Sequence, residues 1–230
     1  IAKRINQLFR IVEHRFGQTD AKLWISHLAF LKRMDWKAEA GKILERFTQA
    51  LCHKEAVWIF AARFQLENQN PNHIARTLLL KGLRFHKDSI QLYREYFMLE
   101  MEFLKKLVEK PELAEEFEDG KTEILEGKIV QTVFLEAIEN VNKPIFIAEL
   151  LGLALKSSIP KLFNNLKASL LDKCSDQSWS WLILINLELY PKPNEDCTTS
   201  EKMRNFSTMI QRALNSMKTK DFLAELLKLL

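Results

Sequence analysis

Cys52 and His53 stand side by side. A thiolate beside an imidazole is what a zinc site or a cysteine nucleophile requires. No second Cys/His pair follows at metal-ligand spacing, and the three cysteines, Cys52, Cys174 and Cys197, form no CxxC. Neither a zinc knuckle, a redox pair nor a disulfide framework is indicated, and a reducing compartment fits best. Cys174 has no identifiable base and reads as a buried structural thiol. Glu115 and Glu116 are paired acids, but neighbours on a helix point about 100° apart and do not converge on one substrate. His27 adjoins the apolar stripe of Trp24, Leu28 and Leu31 and reads as a packed or rim histidine. The six glycines, at 17, 41, 82, 120, 127 and 152, never form a phosphate-cradling loop. Trp24, Trp58 and Trp181 have rings that could stack on RNA bases. Their flanking Leu, Ala and Ile residues, and their constant place in a repeat described below, favour core packing instead. These residues predict no enzyme, no cofactor and no bound metal.

The elements that position such residues are helices. Six Gly and six Pro in 230 residues are few for a turn-rich β fold. A hydrophobic share of 47% supplies a core, and 28% charged residues supply a soluble surface. Net charge is +4 with a pI near 8.9, which permits an RNA neighbour without requiring one. The longest apolar run, Ala56 to Ala62, is far short of the roughly 20 residues of a membrane span. No signal-peptide pattern opens the sequence, and because it starts at Ile1 rather than Met the true start is expected to lie upstream.

Self-similarity organises the rest. "LWISHLAFLK" from Leu23, "VWIFAARFQLE" from Val57 and "LYREYFMLEM" from Leu92 are led by Trp24, Trp58 and Tyr93, at steps of 34 and 35 residues. Two fainter copies, "IFIAELLGLAL" from Ile145 and "SWLILINLEL" from Ser180, are led by Phe146 and Trp181, again 35 apart. The wider step of 53 between Tyr93 and Phe146 leaves room for extra material. Residues 105–121, "KKLVEKPELAEEFEDGK", supply it and read as an acidic insertion or a helix extension with a solvated face. Three parts are therefore expected: 1–104, 105–121 and 122–230.

Between the aromatic-led segments lie second segments with their own phase. Ile74, Ala75, Leu78, Leu79 and Gly82 fall on one helical face. Asn70 and Pro71 suit its cap and first turn. Ala40 stands 35 residues before Ala75, with Asp35 as the expected cap of that earlier helix. Small residues at Ala40, Ala75 and Gly82 allow close helix approach, while the aromatic leads fill the space between layers. "IVQTVFLEAI" from Ile129 has the β-branched start of a strand, but its unbroken length and place in the repeat favour a helix. Each unit is thus two antiparallel helices of about 12–16 residues, and stacking such pairs gives an all-α solenoid. Asp88 and Ser89 cap the helix after the corner "LRFH", and His86 and Lys87 suit the preceding C-terminus. His73, Arg76, Leu80 and Arg84 recur near one face of a second helix. They are the candidate contact face on the concave side; the bland alternative is a solvated or inter-repeat-bonded stripe.

A helix pair led by Trp or Tyr, with Glu67 and Glu100 closing first helices and Ala75-Arg76 in a second, resembles the half-a-TPR, or HAT, repeat. Over residues 4 to about 140 the sequence resembles one HAT family, the U-three-snoRNA-associated protein six family of the UtpB subcomplex of the small-subunit processome. "RFGQTDAKLWISHLAFLKRM", "ALCHKEAVWIFAARFQLE" and "ARTLLLKGLRFHKDSIQLYREYFMLEM" carry that resemblance. The corner Leu83-Arg84-Phe85-His86 is its most specific mark, and "EILEGKIV" from Glu123 matches the segment after the acidic insertion. Beyond this range only the helical pattern persists. The resemblance implies a non-catalytic nucleolar scaffold for pre-18S ribosomal RNA processing, docking on WD40-propeller proteins of its subcomplex and sharing a particle with snoRNA and pre-rRNA. HAT scaffolds of the spliceosome or the mRNA 3′-end machinery, and a solenoid that binds RNA directly, are the competing expectations.

Overall fold

A computed structural model describes residues 1–68, 72–110, 127–157, 159–189, 199–217 and 220–229. The expected cap at Asn70 and Pro71, the acidic residues 111–121 and Cys197 lie outside the described residues. Among those described there are twelve helices and no strand. In chain order they are α1 (Ala2–Phe16), α2 (Ala21–Arg33), α3 (Lys37–Ala50), α4 (Glu55–Glu67), α5 (Asn72–Phe85) and α6 (Ile90–Glu109). There follow α7 (Lys128–Val141), α8 (Pro144–Lys156), α9 (Pro160–Cys174), α10 (Ser178–Leu189), α11 (Thr199–Ser216) and α12 (Lys220–Leu229). The segment from Ile129 is therefore helical, within α7.

Local chemistry marks many of the helix ends. Asp20 accepts from the Lys22 backbone N–H at 2.8 Å and caps α2. Ser89 Oγ accepts from the Leu92 N–H and starts α6. Pro144 and Pro160 occupy first-turn positions of α8 and α9, where a missing donor costs nothing. Asn142 ends α7 in the left-handed region, which its short polar side chain tolerates. Asp35 departs from expectation. It has φ of 53°, and the N-cap of α3 is Trp36 with no side-chain cap bond. The tight turn after α2 places Asp35 in the left-handed region, so its carboxylate does not reach the α3 N-terminus.

The chain divides into two compact units, Ile1–Tyr96 and Phe97–Leu230. In the first, each helix from α1 to α5 packs on its sequence neighbour, as short connections require. Trp24, Leu28 and Leu31 of α2 meet Ile43, Leu44 and Phe47 of α3 and Val57, Ala61 and Phe64 of α4 in one core. In the second unit α7 packs on both α8 and α9, and α10 packs on α8, α9 and α11. Contact between a helix and the one after next is the mark of stacked pairs, the helical-repeat form of an α-solenoid. Trp181 and Ile185 join Met209, Ala213, Phe222 and Leu226 in the core of the last three helices.

Two glycines are dictated by space or by backbone. A Cβ at Gly82 would stand 2.9 Å from Trp58 Cβ and Cγ, so only glycine lets α5 approach α4 this closely. Gly127 has φ of +77°, and a Cβ there would meet Leu162 Cδ1 at 2.6 Å.

Candidate protein-interaction surface

The lead aromatics are core residues. Trp24, Trp58, Tyr93, Phe146 and Trp181 are 3% to 6% exposed, and Ala40, Ala75 and Gly82 are buried beside them. A buried ring cannot stack on a base, so none of the three tryptophans offers an RNA platform. Each tryptophan instead donates its indole N–H to the corner just behind it. Trp24 reaches the Gly17 carbonyl at 2.8 Å, Trp58 reaches Cys52 at 3.0 Å and Trp181 reaches Ser175 at 2.9 Å. Ring burial and a hydrogen bond together fix the angle at which one pair enters the next.

The corner "LRFH" is a clamp on the preceding repeat. Leu83 is buried, and the Phe85 ring stacks on Trp58 at 5.6 Å between centroids. His86 Nε2 lies 3.1 Å from the Cys52 carbonyl that also receives the Trp58 indole. Ser89 bonds through its hydroxyl to the Glu55 carboxylate, 34 residues away. Similar links recur at about one repeat of separation. Lys32 pairs with Glu67 at 2.7 Å, Arg63 with Glu95, Gln131 with Ser169 and Lys173 with Glu139. The Arg63 guanidinium is held above its ordinary value by its hydrogen bonds to Glu95 and by that carboxylate's charge. Periodicity thus appears twice, in the apolar rings and in the polar links across them.

A groove between α3 and α5, of about 490 Å³, is open to solvent in the first unit. Leu44, Trp58, Ile74, Leu78 and Phe85 line it apolarly, while Glu45, Thr48, Gln49, His73, Thr77 and Lys81 supply polar walls. Gly41 leaves one side open, since a Cβ there would touch nothing within 4 Å. Of the four residues expected on the contact face, His73 lines this groove. Arg76 is half-buried and makes an interaction of its own, and Leu80 and Arg84 are exposed on the adjoining strip of α5. In the second unit, α8 and α10 flank a more apolar groove of about 520 Å³, lined by Ile145, Ala148, Gly152, Leu155, Ile183 and Leu187 among others.

No cluster of metal-ligating side chains occurs among the described residues. Cys174 is buried, and desolvation, with Asp176 adding to it, pushes its thiol up and away from thiolate chemistry. Cys52 is half-buried at the groove edge. His27 is fully buried between α1 and α2, with Nδ1 2.5 Å from Glu13 Oε1 and Nε2 2.7 Å from Asn6 Oδ1. The Phe9 ring lies parallel to it at 4.6 Å. The sequence marked His27 as packed but carried no sign of Glu13 and Asn6, whose partner lies 14 and 21 residues away.

No family model matches this chain. It is similar to U3 small nucleolar RNA-associated protein 6 homolog of Homo sapiens, at 27% identity over 212 residues, 87% of this chain and 35% of that protein. The Mus musculus protein of the same name is 28% identical over 213 residues, covering 84% of this chain and 35% of the relative. The chain spans about a third of the length of the curated relatives it matches.

Proposed function

We propose that this chain is a non-catalytic repeat scaffold of the small-subunit processome, acting in the nucleolus in the maturation of pre-18S ribosomal RNA. One observation carries the reading: the likeness to relatives named for association with U3 small nucleolar RNA runs over 87% of the chain. The character of the side chains supports it. Trp, His, Ser, Arg and Glu residues that could bind or react are engaged in holding one helix pair to the next. Function then resides in surface, and assembly proceeds by burying area along it. The partners we propose are WD40-propeller proteins of the UtpB subcomplex, with snoRNA and pre-rRNA in the same particle. Affinity purification of the full-length protein followed by mass spectrometry tests this. Recovery of processome subunits is expected; recovery of splicing or 3′-end factors in their place would overturn it.

A further inference from the structure

The outer face of α1 combines an apolar row with unopposed positive charge. Ile5, Leu8, Ile11 and Phe16 are between 36% and 60% exposed. Arg4 and Arg15 stand among them and are exposed too. Glu13, the one acid within the helix, is buried against His27. Residues 1–46 hold ten Lys and Arg against five Asp and Glu, an excess larger than the +4 of the whole chain. The inner face of α1 is already used, since Phe9 meets His27 and Phe30, and Arg10 pairs with Glu39 of α3.

We infer that this outer face docks an acidic amphipathic helix of a partner protein. At about 100° per residue, Ile11, Arg4, Arg15, Leu8, Ile5 and Phe16 follow one another within an arc of about 140°. Both guanidiniums therefore sit inside the apolar row rather than beyond its edge. A helix with leucine-type anchors and flanking carboxylates covers the row and meets each arginine with a charge-assisted, bidentate bond. An anionic membrane does so less well, because immersing the row would drag two guanidiniums toward hydrocarbon. RNA satisfies the arginines but leaves three aliphatic side chains in water with nothing to stack upon. Exposed apolar groups with arginines among them are characteristic of protein contacts. This surface lies apart from the α3–α5 groove, and the inference is independent of assignment to the processome.

A synthetic helical peptide of about three heptads, with Leu along its seam and Glu beside it, is the probe. Its Lys-for-Glu counterpart, a single-stranded RNA oligonucleotide and phosphatidylserine vesicles are the alternatives, all titrated against the whole protein by fluorescence anisotropy or sedimentation. The Glu peptide should bind at least about tenfold more tightly than the Lys peptide. Leu8→Ser with Ile11→Ser should weaken it about tenfold with an unchanged melting temperature, because both side chains are exposed. Arg4→Glu with Arg15→Glu should reverse the peptide preference. Absence of Glu-peptide binding, indifference to either double variant, or tighter binding of RNA or vesicles overturns the proposal.

Discussion

Trp58 has two jobs that can be separated by substitution. Its ring fills the space that Gly82 leaves open, and its N–H holds the Cys52 carbonyl. Trp58→Ala is expected to lower stability by roughly 3–5 kcal/mol, as large core truncations do. Trp58→Phe keeps most of the ring and should cost only about 1 kcal/mol for the lost hydrogen bond. Urea unfolding at constant m-value measures both. Glycine substitutions give a sharper contrast. Gly82→Ala drives a Cβ to 2.9 Å from Trp58 and should destabilise by about 1–3 kcal/mol through overpacking. Gly152→Ala meets nothing within 4 Å and should be neutral or stabilising by up to about 1 kcal/mol, because alanine is the better helix former. In the sequence Gly82 already stands among the small residues expected to let helices approach, and nothing singles out Gly152. The ring that Gly82 makes room for, brought in from 24 residues away, is what the structure adds.

Helix α1 shows how an element can be held by groups other than apolar ones. Its inward contacts are Asn6, Phe9, Arg10 and Glu13. Glu13 Oε2 lacks a hydrogen bond, and the nearest cation contact is Arg46 at 3.9 Å. At the rim, burial of the Glu39 carboxyl opposes its ionisation, yet Lys42 and Arg10 hold it below the usual range. His27→Ala would strip the buried Glu13 carboxyl of its imidazole partner, a loss of about 1–3 kcal/mol that falls on α1 docking. Hydrogen exchange should then speed up in the α1 amides while those of α4 and α5 keep their protection. Uniform acceleration across all three helices would instead mean that α1 is part of one cooperative block. None of this was legible in advance, because the pairing joins residues 14 to 29 positions apart with no periodic signature. Asp35 was misread for a related reason: an acid before a helix resembles a cap, but its backbone is set by the turn it occupies. On α5 the sequence placed Ile74, Ala75, Leu78, Leu79 and Gly82 on one face; Ala75, Leu79 and Gly82 are buried together with Leu83, while Ile74 and Leu78 are half-buried. The groove beside it was not legible, since α3 decides which flank stays open.

At the scale of the molecule, the helical repeat was the most legible feature. Bulky rings returning every 34 or 35 residues impose a pattern that survives local irregularity. The polar links Glu55–Ser89, Lys32–Glu67 and Lys173–Glu139 fall at nearly the same interval. They could not be foreseen individually, because exposed Lys, Glu and Ser residues occur everywhere. A helix pair in this arrangement has apolar groups on both flanks, as Phe47 shows by meeting Trp24 of its own pair and Phe60 of the next. Stability therefore comes from neighbours more than from the pair itself. The direct test is far-UV circular dichroism of the isolated pair spanning residues 20–52, compared with residues 1–96. The single pair is predicted to be largely unfolded and the longer fragment helical, with a cooperative melt. A single pair that is fully helical and melts cooperatively on its own would contradict the account.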